Sequence, residues 1–158
     1  MERRKEEKIL WINSQNRTNE GDYPNNFYYD IYGYINPNAK NITVQLIQFL
    51  MIATDPTYYF DDGIVKILID FGVSHNQISE LNNFINVGLI NARSSQNNYC
   101  DTSVYPTPIF KLNDIPTRFI NIQLLNDNNE VITDNRNAPN AGNPPGVIIL
   151  CLKFTYEI

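Results

Sequence analysis

Charge, histidine and cysteine are all scarce in this chain, and each scarcity argues against a class of function. Only 18% of its 158 residues are Asp, Glu, Lys or Arg, and the formal net charge is −5. Nucleic-acid affinity rests largely on clustered Lys and Arg, so no specific nucleic-acid binding is expected. The single histidine, His75, and the two cysteines, Cys100 and Cys151, have no zinc-site spacing. The longest apolar runs, at 44–53 and 147–152, fall short of the ~20 residues that cross a bilayer. No membrane span is therefore expected. The opening MERRKEEK lacks the apolar core of a signal peptide, which points to cytosolic synthesis and to cysteines that stay reduced. The sequons at Asn16 and Asn41 would matter only in a secreted protein.

Catalytic groupings are equally sparse. Ser74 beside His75 lacks the strand-turn-helix setting of a nucleophile elbow, and nothing in the sequence brings Cys100 to His75. Asp61, Asp62 and Asp127 are explained by turn chemistry, and a calcium site built on them lacks the EF-hand pattern. There is no P-loop and no G-x-G-x-x-G. The reading is of a protein that is not an enzyme and uses no cofactor or metal.

What the chain does have is alternation. Successive side chains of a strand point to opposite faces, and three segments follow that period. In 64–71, Val65, Ile67, Ile69 and Phe71 oppose Lys66 and Asp70. In 118–125, Ile120, Ile122 and Leu124 oppose Asn121 and Gln123. In 147–157, Ile148, Leu150, Leu152, Phe154 and Tyr156 share one face. Turns are expected at Asp61-Asp62-Gly63, where Gly supplies positive φ, and at 126–129, where Asn tolerates it; both read as hairpins. With 9–12, 27–34, 41–54 and 103–111 these segments read as an all-β sandwich or barrel of about eight strands. One stretch differs: Ser74 and Gln77 have capping-box spacing, and Ile78, Leu81 and Ile85 recur at helical intervals, which predicts one short helix. Residues 1–8 read as a flexible arm, 9–158 as a single domain, and 135–146 as a long loop rich in Pro, Gly and Asn.

The ten Tyr and eight Phe suit protein interfaces, because a Tyr side chain presents a large apolar area and a polar tip. Tyr28, Tyr32 and Tyr34 are expected to face one way on one strand. In 44–53, Val44, Leu46, Leu50 and Ile52 are expected on one face and Ile47, Phe49 and Met51 on the other; a strand apolar on both faces needs cover on both.

The order of the pieces carries a resemblance. "ILWINSQNRTNEGDYPNNFYYDI" reads as strand, polar connection and strand, followed by the apolar "NITVQLIQFLMIAT", an aromatic hairpin, the helix "HNQISELNNFIN" and the final strand "VIILCLKFTYEI". From Ile9 onward the chain resembles the single jelly-roll penton and minor capsid proteins of virophages, polinton-like viruses and related double-stranded DNA viruses. The resemblance implies a jelly roll of two four-stranded sheets. It also implies a virion location at the capsid vertex, a homo-pentamer about the five-fold axis, and contacts with major capsid protein trimers and other minor capsid proteins. On this reading Arg17, Tyr23, Tyr28, Tyr32, Tyr34, Phe49 and Met51 are the candidates for subunit contact, and 135–146 is the candidate for outward display. The runner-up, resting on the Tyr and Asn content, is a carbohydrate-binding β-sandwich module.

Overall fold

A computed structural model describes residues 2–18, 26–52, 63–75, 83–92, 98–101, 107–131 and 147–158, with only the backbone described at 51–52, 91–92 and 98–101. The described residues form nine strands: β1 Lys5–Asn13, β2 Asn26–Asp30, β3 Lys40–Ile52, β4 Gly63–Asp70, β5 Phe84–Ala92, β6 Asn98–Asp101, β7 Ile109–Lys111, β8 Phe119–Leu125 and β9 Val147–Glu157. They make two antiparallel sheets. One runs β1-β9-β3-β6, with β7 pairing the same strand β3, and the other runs β2-β8-β4-β5. Every link except β4–β5 and β6–β7 joins strands of opposite sheets.

The alternating segments become the core. Ile148, Leu150, Leu152, Phe154 and Tyr156 of β9 face Val65, Ile67 and Ile69 of β4 and Ile120, Ile122 and Leu124 of β8, all buried in one apolar cluster. Within it Phe71 meets Phe154 edge to face, with ring centroids 5.9 Å apart. Where the cluster closes beside β1, the buried Ser14 hydroxyl accepts the Ile148 N–H at 3.0 Å, satisfying a donor that would otherwise be buried without a partner.

Besides a register shift between Lys40 and Thr43 at the start of β3, two bulges reset the pattern. Between Leu46 and Gln48 the pairing of β3 with β9 shifts by one residue, leaving Ile47 as the extra residue. The buried face of β3 therefore passes from Ile42, Val44 and Leu46 to Phe49, which is 1% exposed in the core. This corrects the expected split: Phe49 joins the face of Leu46, and Leu50 turns away. On the other edge of β3, β7 pairs Thr43–Gln45 and β6 pairs Gln48–Met51. In the gap between them the Thr107 hydroxyl donates to the Leu46 carbonyl, and Gln45 Nε2 donates to the Thr107 carbonyl at 2.9 Å. A second bulge, between Ile67 and Leu68 on β4, leaves Val87 of β5 as the extra residue.

The first strand starts four residues before Ile9, so residues 5–8 of the expected arm are strand. Lys5 pairs with Glu157, and backbone bonds between Arg4 and Ile158 continue the ladder outward. Apolar alternation could not reveal this because β1 is an edge strand whose first half carries charge. The backbone ladder holds it instead, helped by the buried Tyr156 hydroxyl, which donates to Glu6 Oε2 at 3.1 Å. Arg4 also bonds Glu6 and, with that hydrogen bond as the largest cause, holds the Glu6 carboxyl below its ordinary range.

The expected helix is not helical at either described end. Ser74 and His75 lead into an isolated bridge between His75 and Leu112, while Phe84 opens β5, with Ile85 and Val87 buried at strand spacing. Residues 76–82 lie outside the described part. Among the described residues the only helical element is a 3₁₀ turn, Ser14–Asn16, capped by the Asn13 side chain. The Asn turn is present: Asn129, at φ 60°, donates to the Asn126 carbonyl, and Leu125 bridges to Val131. The turn read at Asp61-Asp62-Gly63 lies outside the described residues apart from Gly63, which opens β4.

Cys100 and Cys151 lie on strands that flank β3, opposite Phe49 and Gln48. Two strand spacings separate them, roughly 9.5 Å, beyond the reach of a disulfide. Cys151 is a free, buried thiol whose pKa burial raises.

Candidate functional site

The β2–β8 end of the four-stranded sheet brings exposed aromatic rings beside half-buried polar groups. Along β2 the inward side chains are Phe27 and the partly buried Tyr29, so Asn26, Tyr28 and Asp30 point outward; along β8 the inward Ile120, Ile122 and Leu124 leave Phe119, Asn121 and Gln123 on the outer side, where Asn121 is nonetheless only 6% exposed. The antiparallel register sets Asp30 opposite Phe119, Tyr28 opposite Asn121 and Asn26 opposite Gln123.

Arg118, just before β8, grips Asp30 through both oxygens: Nε donates to Oδ1 and Oδ2 at 3.2 and 3.1 Å, and Nη2 donates to Oδ2 at 2.9 Å. Its guanidinium lies over two rings, with Cζ 5.2 Å from the centroid of Tyr32 and 5.0 Å from that of Phe119. Asp30 Oδ1 also accepts the Tyr32 N–H at 2.9 Å, closing the turn after β2. Arg118, and then that N–H, hold the Asp30 carboxyl below its ordinary value, and Asp30 in turn raises the Arg118 pKa. Gly33, at φ +79°, completes the turn, in which the Tyr34 N–H meets the Ile31 carbonyl at 3.1 Å.

Beside the pair runs a line of amides. Gln123 Nε2 donates to Asn121 Oδ1 at 3.1 Å, and Asn121 Nδ2 donates to Asn26 Oδ1 at 3.1 Å and to the Phe27 carbonyl at 3.0 Å. Below Tyr32 and Arg118 opens a groove of about 410 Å³ with Ile31, Ile35, Pro37, Ile115, Pro116 and Thr117 in its lining.

The residues expected at subunit contacts separate. Tyr28, Tyr32 and Tyr34 are exposed, Tyr32 the most at 78%. They do not share one strand, because β2 ends at Asp30 and the Asp30 side chain turns the chain before Tyr32. Phe49 is buried in the core and cannot meet a neighbour. Arg17 Nη1 donates to the Ser14 carbonyl of its own chain at 2.9 Å. Tyr23 and the Met51 side chain lie outside the described residues.

Sequence reasoning passed over Asp30, Arg118 and Phe119, whose association comes only from pairing strands far apart in the chain. It also passed over an apolar flank on each side of the sandwich. Ile9 and Trp11 are exposed on the edge strand β1, Trp11 at 55%. On the opposite flank Leu89 of β5 is 54% exposed and Ile109 of β7 is 60% exposed. Among the described residues no group of three His, Cys, Asp or Glu could hold a metal ion, and no helix is long and apolar enough to cross a membrane.

Compared with known protein families and with curated proteins, the chain matches none.

Proposed function

We propose that the chain is a viral structural protein: a capsid penton, five copies of which close each icosahedral vertex and contact the surrounding major capsid protein trimers. The observation that carries this reading is the apolar pair on each flank, Ile9 and Trp11 on one and Leu89 and Ile109 on the other. Subunits around a five-fold axis meet head to tail, so each needs two different surfaces that fit one another. A few side chains near the centre of such a contact carry most of its stability, Trp prominent among them.

The strand order supports the jelly-roll form of the sandwich. With β6 and β7 taken as two halves of one strand along β3, the sheets run 1-9-3-6/7 and 2-8-4-5 with near-complete alternation between sheets. Light scattering and sedimentation of the purified chain test the proposal. A discrete five-copy ring is expected, and Trp11→Ala or Leu89→Ser should each return it to monomers without loss of fold. A chain that stays monomeric at every concentration and is missing from purified particles overturns it.

A further inference from the structure

We infer that the outer face of the β2–β8 end is a binding site for a neutral saccharide, a role separate from ring formation and not dependent on it. The deciding feature is the charge pattern. Arg118 and Asp30 are joined at 2.9 Å, so their fields largely cancel beyond the pair. An anion drawn by Arg118 meets the Asp30 carboxylate, and a cation drawn by Asp30 meets the guanidinium. A hydroxyl suits both, since it donates to one and accepts from the other.

The remaining surface favours the same ligand. The amide line has a direction: each N–H₂ points from Gln123 through Asn121 to Asn26, so its ends carry opposite character, N–H donors at Asn26 and a carbonyl acceptor at Gln123. Asn26 and Gln123 are half-buried and still reach solvent, so an apolar protein partner placed over them would strip water from polar groups at a cost, whereas a polyol can take the water's place. Tyr28 and Tyr32 supply exposed rings on which the C–H face of a sugar can stack, and the groove beneath Tyr32 lies within the usual size of small-molecule sites, ~300–1,000 Å³. Aromatic platforms, fixed planar amides and a bidentate polar pair on a rigid sheet together give orientation as well as contact.

The full chain is applied to an array of neutral and sialylated oligosaccharides. The neutral sugar with the strongest signal is then titrated by saturation-transfer NMR. A neutral sugar is expected to bind, with little change between low and high salt because the site pairs its charges. Tyr32→Ala and, separately, Tyr28→Ala should each weaken it about tenfold while leaving the melting temperature unchanged. The inference is overturned by the lack of any neutral binder, by a salt-sensitive preference for sialylated sugars, or by full affinity in both variants. Loss of self-association on Tyr32→Ala with no sugar bound also overturns it, and assigns the face to contact between copies. Ring formation by a chain that binds no sugar leaves the capsid reading standing, so the two proposals fail separately.

Discussion

Gly72 lies so close to Thr117 that a Cβ on it would stand 2.1 Å from Thr117 Oγ1, 2.6 Å from Cγ2 and 2.8 Å from Cβ. Rotating the threonine cannot clear the space, because its own Cβ is among the obstacles. Thr117 is also held in place: its N–H donates to the Phe71 carbonyl at 3.0 Å, and its single hydroxyl proton is shared between the Phe119 carbonyl at 3.0 Å and the Phe71 carbonyl at 3.2 Å. This contact ties the chain leaving β4 to the chain entering β8, and the next residue is Arg118, which grips Asp30.

Gly72→Ala should therefore be costly in two ways, since Gly72 also has φ +73°. A left-handed backbone alone costs a non-glycine residue about 1–2 kcal/mol, and overpacking adds about 1–3. Gly33 is the internal control, with φ +79° and open space around its missing Cβ. Gly33→Ala should lower the melting temperature by about 2–6 °C and Gly72→Ala by at least twice as much. Equal shifts in a thermal melt would show that the Thr117 contact carries no strain.

The Asp30 carboxyl is held below its ordinary value of 3.8, first by the Arg118 hydrogen bonds and then by the Tyr32 N–H, with burial opposing. A pKa depressed in the folded state stabilises the fold above the unfolded value and loses that contribution as pH falls through the folded one. The window for this pair thus lies below pH 3.8, and at neutral pH the pair is intact. A carboxyl NMR titration should place the Asp30 midpoint under 3.8. Arg118→Met should move it part of the way back, because the Tyr32 N–H still bonds Oδ1. High salt should shrink the depression, since both side chains reach solvent. A midpoint unchanged by Arg118→Met would remove the guanidinium as its cause.

How far such features can be read in advance depends on whether their cause is local. Ile148 to Tyr156 announce β9 because every second side chain faces the core, and Asn126 to Asn129 announce their turn because the turn is made by those residues themselves. β5 was hidden because Ile78, Leu81 and Ile85 also fit a helical period, while the strand alternation of Ile85 and Val87 breaks at the bulge. Phe49 lies on the face opposite to the one its spacing predicts, because one extra residue, Ile47, inverts everything after it. The charged half of β1 is held by backbone pairing and Tyr156, neither of which leaves an apolar signature. Asp30 and Arg118 meet only because β2 pairs β8, a relation that no spacing encodes.

The bulges at Ile47 and Val87 meet, which allows a coupled test of how the sheets pack. Gly88, beside the extra residue Val87 of β5, faces Leu46 of β3, next to the extra residue Ile47. A Cβ on Gly88 would stand 2.8 Å from Leu46 Cδ2, the far end of a side chain, while Ile67 Cδ1 and Thr107 Cγ2 lie at ordinary contact distances of 3.6 and 3.7 Å. The clash is therefore with one movable methyl. Gly88→Ala alone should destabilise by about 1–3 kcal/mol through overpacking. Leu46→Val alone, shortening a fully buried side chain, should cost about 1 kcal/mol through a small cavity. Together they should cost less than their sum by about 1 kcal/mol, because the new methyl fills the space the leucine gave up. Denaturant unfolding of the four proteins measures that coupling. Strict additivity would mean that the sheets already have room at Gly88, and that its glycine answers to the bulge geometry of β5 rather than to close approach of the two sheets.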